Sequence, residues 1–505
     1  MERKWWTLVV VCVAIFMFLL DITIVNVALP QIEGSLSASF SELQWVLDAY
    51  ALTLATFVLT AGALADRFGR KRVFLAGILI FTIASALCGG SWSPVALIVF
   101  RGLQGVGGAI MFATSLAILS QEFHGKERGT AFGIWGATTG AAVALGPLVG
   151  GVLTTGLSWR WIFFVNIPIG AAAFALAVRE VRESSDPQHA RVDPLGFVLL
   201  TGGLFSLVFA LIEGSKRGWS STFILGLLAA AVALLGLFII VQAVQTRSMV
   251  DLALFRKPAF VGAQVVAFVI SGSMFAMFLY IVLYMQNILG YSSLGAGLRF
   301  LPMTMLIFLA APIAGKLSAH VPVRLLLGAG LGLTALSLWL MSGIGDRSGW
   351  TTLLPGFIVG GIGIGFTNTP LASTSVSTVR QERAGMASGL NSTFRQLGIA
   401  TGVAGLGAIL QARVTSHALG ALADLPNARS LARQFASGQV QHAISHLPAD
   451  QRERAAAVAR DSFVSGFNEI LVIGAIVAAI GAVLALALVR PRDFVASGHP
   501  AADAA

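Results

Sequence analysis

The sequence predicts an all-α integral membrane protein of about fourteen transmembrane helices. Three observations carry that reading. Of 505 residues, 56% are hydrophobic and 11% charged, against roughly 25% charged in a soluble protein. The apolar residues gather into stretches of about 20, the length that crosses a bilayer as helix. Lys and Arg concentrate in alternate short loops: Arg3, Lys4; Arg67, Arg70, Lys71, Arg72; Lys126, Arg128; Arg179, Arg182, Arg191; Arg247, Arg256, Lys257; Lys316, Arg324; Arg380, Arg383; Arg490, Arg492. The intervening short loops hold chiefly Lys216, Arg217 and Arg347. This asymmetry places both termini in the cytoplasm. It also accounts for the net charge of +10 without a nucleic-acid partner. The 7 His and 2 Cys are too few and too scattered for a metal site or a disulfide framework.

The expected spans are 6–29, 44–64, 73–91, 95–118, 131–155, 160–179, 194–213, 221–243, 260–284, 296–315, 323–343, 352–376, 395–412 and 466–489. The first run continues through Asp21 and Asn26 with no small-residue cleavage site, so it reads as a span and not as a signal peptide. Asp21 lies in LDITIVNVALP, Leu20 to Pro30. A charge at that depth costs at least a few kcal/mol unless neutralised, paired or wetted, which makes it a functional candidate. The alternative is a hydrogen bond that only ties the helix to a neighbour. The second span carries Asp48 and ends in GALADRFGRKR, Gly62 to Arg72. There Gly62 allows close backbone approach, Gly69 a tight turn, and four cations flank Asp66.

The fourth span carries Arg101-Gly102-Leu103-Gln104-Gly105. At 1.5 Å per residue, Asp21 lies roughly 20 Å from its inner end and Arg101 roughly 10 Å from its outer end. In a core about 30 Å thick those depths coincide. Asp48 lies slightly nearer the outer surface, and Glu213 and Glu469 near the interface. The fifth span has Gly146, Pro147, Gly150 and Gly151, a composition that lets a helix bend and pack tightly; a plain packing face is the alternative. The loop 180–193 is a linker. Lys126 to Gly133 (KERGTAFG) before the fifth span and Glu382 to Gly389 (ERAGMASG) before the thirteenth form a weak internal echo, a Glu-Arg pair and then a glycine-rich helix start, of the kind that builds two bundles around one site. The seventh and eighth spans then become an insertion. The expected units are 1–187, 188–245 and 246–492, with a disordered tail at 493–505.

In the second half, Gly315 to His320 has no acid and Leu354 to Gly361 no arginine, so the coupling charges fall in the first half. Tyr280, Tyr284, Gln286, Phe366 and Asn368, with Asn26 and Gln104 from the first half, are candidates for a substrate cavity; helix packing is the competing reading for each. The outer stretch 413–464 reads as an extracytoplasmic helical hairpin or surface helix, with a poorly ordered loop as the alternative.

GALADRFGRKR after the second span resembles the signature of the major facilitator superfamily. The resemblance implies a cytoplasmic latch by Asp66, Arg70 and Lys71 within a motif of Gly62, Asp66, Arg67, Gly69, Arg70 and Lys71. It also implies a buried-arginine motif at Arg101 and an antiporter motif at Gly146, Pro147, Gly150 and Gly151. With Trp45 to Tyr50 (WVLDAY), Trp159 to Gly170 (WRWIFFVNIPIG), Gly389 to Gln396 (GLNSTFRQ) and LDITIVNVALP, the chain is similar to the fourteen-helix drug:proton antiporters of the EmrB/QacA type. That similarity implies a major facilitator fold of two six-helix bundles plus two inserted helices. Asp21 is then the expected proton carrier and Arg101 its switch, since a nearby guanidinium favours the charged carboxylate and burial disfavours it. Asp48 is the second candidate acid, on residue grounds alone.

The expected function is proton-coupled multidrug efflux of lipophilic compounds by alternating access, with cations favoured by acids facing a cavity. A dedicated exporter of one natural product, lipid or siderophore is the alternative. The proton gradient is the expected energy source, with no cofactor and no metal; no P-loop pattern occurs. An enzyme would need a catalytic frame, and the outer stretch offers only His417, His442 and His446. A channel would need repeated pore-lining rings. The expected setting is the inner (cytoplasmic) membrane, as a multi-pass monomer in the lipid bilayer, with envelope partner proteins left open.

Overall fold

Apolar segments in lipid must satisfy their backbone polar groups internally, which leaves the helix as the solution for single spans. The computed structural model describes residues 2–490 apart from 39, 186–192, 246–249, 319, 346–347, 380–382, 424, 426, 437–439 and 446. Among these, the regular structure is helical. The first half comprises α1 (Arg3–Leu36), α2 (Phe40–Phe68), α3 (Arg70–Gly89), α4 (Pro94–Glu122), α5 (Gly125–Gly156), the single turn α6 (Trp161–Phe164) and α7 (Asn166–Glu180). Then come α8 (Pro194–Arg217) and α9 (Thr222–Val244). The second half begins with α10 (Pro258–Ile270) and α11 (Ala276–Leu283), which π-helical turns at Ser271–Phe275 and Tyr284–Ile288 extend into one rod. It continues with α12 (Ser293–Leu317), α13 (Val323–Met341), α14 (Leu354–Ser377), α15 (Ala384–Ala421), α16 (Ala428–Ala436), α17 (Val440–Ser445) and α18 (Ala449–Leu488).

Thirteen segments among the described residues are long and apolar enough to cross a membrane. Glycine-rich α5, 32 residues long, is a further long helix, packed against α1 and α12. Each of the fourteen expected spans therefore coincides with a helix. Local sequence sets several starts. Ser93, Asp193, Ser221 and Ser292 each accept a hydrogen bond from the backbone three residues on, and Pro94 and Pro194 occupy first-turn positions where no N–H is needed. Gly69 turns α2 into α3 at φ +106°, a conformation that favours glycine.

Helices α1–α7 pack on one another, as do α10–α15 with α18, and the two groups meet along α2–α15 and α5–α12. Both seams rest on the absence of side chains. A methyl group at Gly62 would collide with the carbonyl oxygen of Gly385, and one at Gly129 with that of Gly315. Gly389 and Gly133 continue the same stripes one turn on, against Leu59 and Pro312. Small residues at i and i+4 let helix backbones approach closely in lipid. The internal echo of Gly129 and Gly385 thus marks the two helices that cross between halves; Glu382 lies outside the described residues. Helix α8 lies against α2 and α15, and α9 packs on α8 with its far side exposed, Val232 at 74%. These two helices sit outside one seam.

Two expectations change in detail. The thirteenth span begins at Ala384 and not near residue 395, because Ser388, Asn391, Ser392 and Thr393 lower its hydropathy yet are buried in the helix. The stretch 413–464 is helical, but chiefly as continuations of α15 and α18, which are 38 and 40 residues long. At 1.5 Å per residue these far exceed a core about 30 Å thick. The short α16 folds onto them through buried Leu431, Ala432 and Phe435. The unit boundary at 187/188 and the tail at 493–505 lie outside the described residues.

Candidate functional site

Asp21 is 1% exposed and sits where α1 meets α4 and α7. Its Oδ2 accepts from Arg101 Nη1 at 2.5 Å. Its Oδ1 accepts from Gln104 Nε2 at 2.9 Å and Asn166 Nδ2 at 3.2 Å. Arg101, likewise 1% exposed, also donates to the Gln104 side-chain oxygen at 2.8 Å and from Nε to the Val46 carbonyl at 3.2 Å. Its guanidinium lies 4.1 Å from the centre of the Tyr50 ring, near enough for a cation–π contact. Asn166 passes the network to Ser85 Oγ, which donates to the Phe163 carbonyl. The cluster thus joins α1, α2, α3, α4, α6 and α7 of the first half.

The equal depths of Asp21 and Arg101 expected from helical rise become a direct ion pair. In a setting this dry, breaking one partner leaves the other charge uncompensated, at a cost of about 3–5 kcal/mol. Protonation of Asp21 does chemically what a mutation would do: it removes the charge that balances Arg101 and frees the guanidinium to seek other acceptors.

The loop motif forms a second centre on the face that carries the basic loops. Asp66 Oδ1 accepts from Arg70 Nε and Nη2 at 3.0 and 2.9 Å and from the Gly385 backbone at 3.0 Å; Oδ2 accepts from the Met386 backbone at 2.7 Å. These two amides open α15, so a carboxylate of one half docks on a helix N-terminus of the other, where orphan donors and the dipole favour an anion. Arg70 N donates to the Ser184 carbonyl, and Lys71 Nζ to the Val178 carbonyl at 2.6 Å. Glu183 accepts from the backbones of Lys71 and Arg72 and so caps α3. Arg67 stacks by Phe68, 5.4 Å from its ring centre. The α5–α12 seam has no such carboxylate at its corresponding glycines among the described residues, as expected from Gly315-Lys316.

Other candidates are dispersed. Asp48 is half-buried on α2, two residues after Val46. Gly146 and Gly150 meet Thr23, Ile24 and Val27, so the outer half of α5 fits tightly to α1, close beside Asp21; Gly151 is half-buried. The side chains of Asn26 and Pro147 lie outside the described residues. Gln104 belongs to the Asp21 cluster and is fully buried. Tyr280 and Tyr284 are core residues whose hydroxyls donate to the carbonyls of Val403 and Ser348. Gln286 and Phe366 are half-buried, and Asn368, 3% exposed, accepts from Arg395.

Asn166, Ser85 and Tyr50 carry no role in a reading of the sequence alone. A lone Asn within WIFFVNIPIG is the available signal. Arg395 is equally hidden as a charge of the second half, because hydropathy starts a span on it. Among the described residues no cluster of three or more metal-ligating side chains occurs.

Comparison with known proteins agrees with this architecture. The model of the Major Facilitator Superfamily matches residues 11–403. The tetracenomycin C resistance and export protein of Streptomyces glaucescens is 34% identical over 96% of this chain and 91% of its own length. The multidrug resistance protein Stp of Mycobacterium tuberculosis is 36% identical over 80% of this chain and 76% of its own. The multidrug transporter protein MdtP of Bacillus subtilis is 30% identical over 94% and 91%. Among solved structures, the human organic anion transporter MFSD10 superposes with a TM-score of 0.59 over 95% of this chain and 100% of its own, at 14% identity, which speaks to the fold alone. Family match, relatives and helix arrangement agree, and this chain belongs to the major facilitator superfamily.

Proposed function

We propose that this chain is a proton-coupled exporter of lipophilic drug-like compounds that works by alternating access. The observation that carries the reading is the sealed Asp21–Arg101 pair with its Gln104 and Asn166 partners. In a membrane protein such a charge is expensive to keep without a role in moving protons or ions. Relatives described as multidrug resistance and antibiotic export proteins support drug-like substrates. Asp21 is the proton carrier and Arg101 its counter-charge. Asp66, Arg70 and Lys71 latch the basic face, which we assign to the cytoplasm together with both termini. The units 1–187 and 246–492 move against each other, with 188–245 as an insertion at their edge.

The chain acts as a transporter, not an enzyme, as a monomer in the cytoplasmic membrane, with the proton gradient in place of a cofactor. A substrate preference for cations loses its main support at Asp21, which is sealed and already paired; half-buried Asp48 remains the candidate acid for it. A dedicated natural-product exporter is the second reading, favoured by the relative described as a tetracenomycin C export protein. Everted membrane vesicles carrying the protein test the proposal. An imposed pH gradient should drive uptake of several unrelated lipophilic dyes, and an uncoupler should abolish it. Uptake of a single compound class would favour the dedicated exporter; no gradient-driven uptake of any compound would refute proton-coupled export.

A further inference from the structure

The second half holds a buried charge of its own. Arg395 on α15 is 8% exposed, and its only described polar partners are Asn368 Oδ1 at 3.1 Å and Asn391 Oδ1 at 3.4 Å. Among the described residues no carboxylate lies within ion-pairing distance of it, in contrast to Arg101. Two amide oxygens only partly offset the cost of a guanidinium taken out of water. The groups around it are also left wanting. Asn391 Nδ2 has no hydrogen-bond partner, nor does either amide atom of Gln264, a residue 1% exposed on α10.

Helix register brings Gln264 to the level of Arg395. Gly398 of α15 rests on the carbonyl of Phe268, and Gly402, one turn on, rests on Gly272. Both helices run outward from the basic face, so one turn back along α10 from Phe268 reaches Gln264, on the same stripe and level with residues 394–395. Asn368 and Asn391 thus contact a guanidinium that has no acid among the described residues, and Gln264 stands at the same level on the facing helix. Donors outnumber acceptors there: Gln264 Oε1 is the one free amide oxygen of the three, while the guanidinium and the unpartnered Asn391 and Gln264 amide nitrogens have no anionic oxygen to bind among the described residues.

We propose that Arg395, with Asn391, Gln264 and Asn368, binds an acidic oxygen group, a carboxylate or an ionised enol, of the exported compound. This rests on the exporter reading and narrows its substrate class to lipophilic acids. A charge-assisted, bidentate contact with a carboxylate is the geometry for which Arg is suited. The compound would supply the charge that the protein's own second half lacks, and binding would be strongest when the groups around α10, α14 and α15 close on it.

The test uses the full chain purified in detergent and a fluorescent pair, 7-diethylaminocoumarin-3-carboxylate and its neutral methyl ester, with binding followed by dye polarisation against protein-free micelles. The protein should bind the acid at least about tenfold more tightly than the ester, the loss expected for one charge-assisted contact. Arg395→Gln should erase that preference. Asn368→Asp, which places a carboxylate beside the guanidinium without removing it, should erase it too, and decides the matter if Arg395→Gln does not fold. A wild-type protein that binds acid and ester equally, or both variants keeping the preference, overturns the proposal. Gradient-driven uptake of the same dyes into everted vesicles is read separately: its failure would count against the exporter reading while the acid preference in binding stood.

Discussion

At the scale of single residues, three arginines are buried among the described residues, and two of them, Arg101 and Arg395, stand in opposite situations. Arg101 is balanced by Asp21, and Arg395 is not balanced by any described acid. Asp21→Asn keeps the shape and the amide contacts but leaves Arg101 uncompensated, so it should lower unfolding stability by about 3–5 kcal/mol. The double variant Asp21→Asn/Arg101→Gln should recover most of that loss in thermal unfolding of the purified protein. If the double variant is no more stable than the single, the two charges do not act as a coupled unit. The pairing is legible in the sequence because helical rise alone sets depth, and two charges at one depth in lipid seek each other. Asn166 and Gln104 are less legible. A neutral polar residue in an apolar run has no depth rule that separates a network member from a cavity wall, which is why Gln104 reads from the sequence as wall.

At the scale of elements, the glycine stripes of α2, α5, α12 and α15 decide how the halves meet. Gly62→Val should wedge α2 from α15 where the Gly385 carbonyl now sits. Spin labels on the exposed positions Arg72 and Arg256 should then report a distribution shifted to longer distances, and transport should fall at least about tenfold, the equivalent of 1.4 kcal/mol. An unchanged distribution would show that the seam tolerates side chains. Asp66→Ala should act on the same seam by stripping the first turn of α15 of its two carboxylate contacts, while Asp66→Asn, which can still accept one of them, should lose less transport in the same assay. The motif around Asp66 announces this contact by resemblance. Its partner does not announce itself, since Gly385 and Met386 contribute backbone amides and any residue but proline has one. The start of α15 escapes hydropathy for a physical reason as well: it measures what a residue prefers, and buried Ser388, Asn391 and Arg395 are held by neighbours that a window along the chain does not see.

At the scale of the whole molecule, charge is distributed unequally over two similar halves. The first half holds the Asp21–Arg101 pair and the Asp66 carboxylate that docks on α15; the second holds aromatic and methionine core and an arginine with no acid beside it among the described residues. In the exporter proposed above, such a division would let proton and substrate act on different bundles, each biasing the same equilibrium through its own contacts. The even number of long helices, the alternation of basic loops and the internal echo make this plan readable from the chain. The placement of α8 and α9 against one seam, outside both bundles, is not readable, because apolar helices facing lipid carry no signal of which neighbour they choose.

In the function proposed above, proton movement through Asp21 is the step on which export depends. Proteoliposomes loaded with a transported dye separate coupling from carriage, since dye-for-dye exchange needs no gradient whereas accumulation does. Asp21→Asn should retain exchange and lose accumulation driven by a pH gradient. Accumulation by Asp21→Asn equal to that of the wild-type protein would contradict a proton-carrying role for this carboxylate.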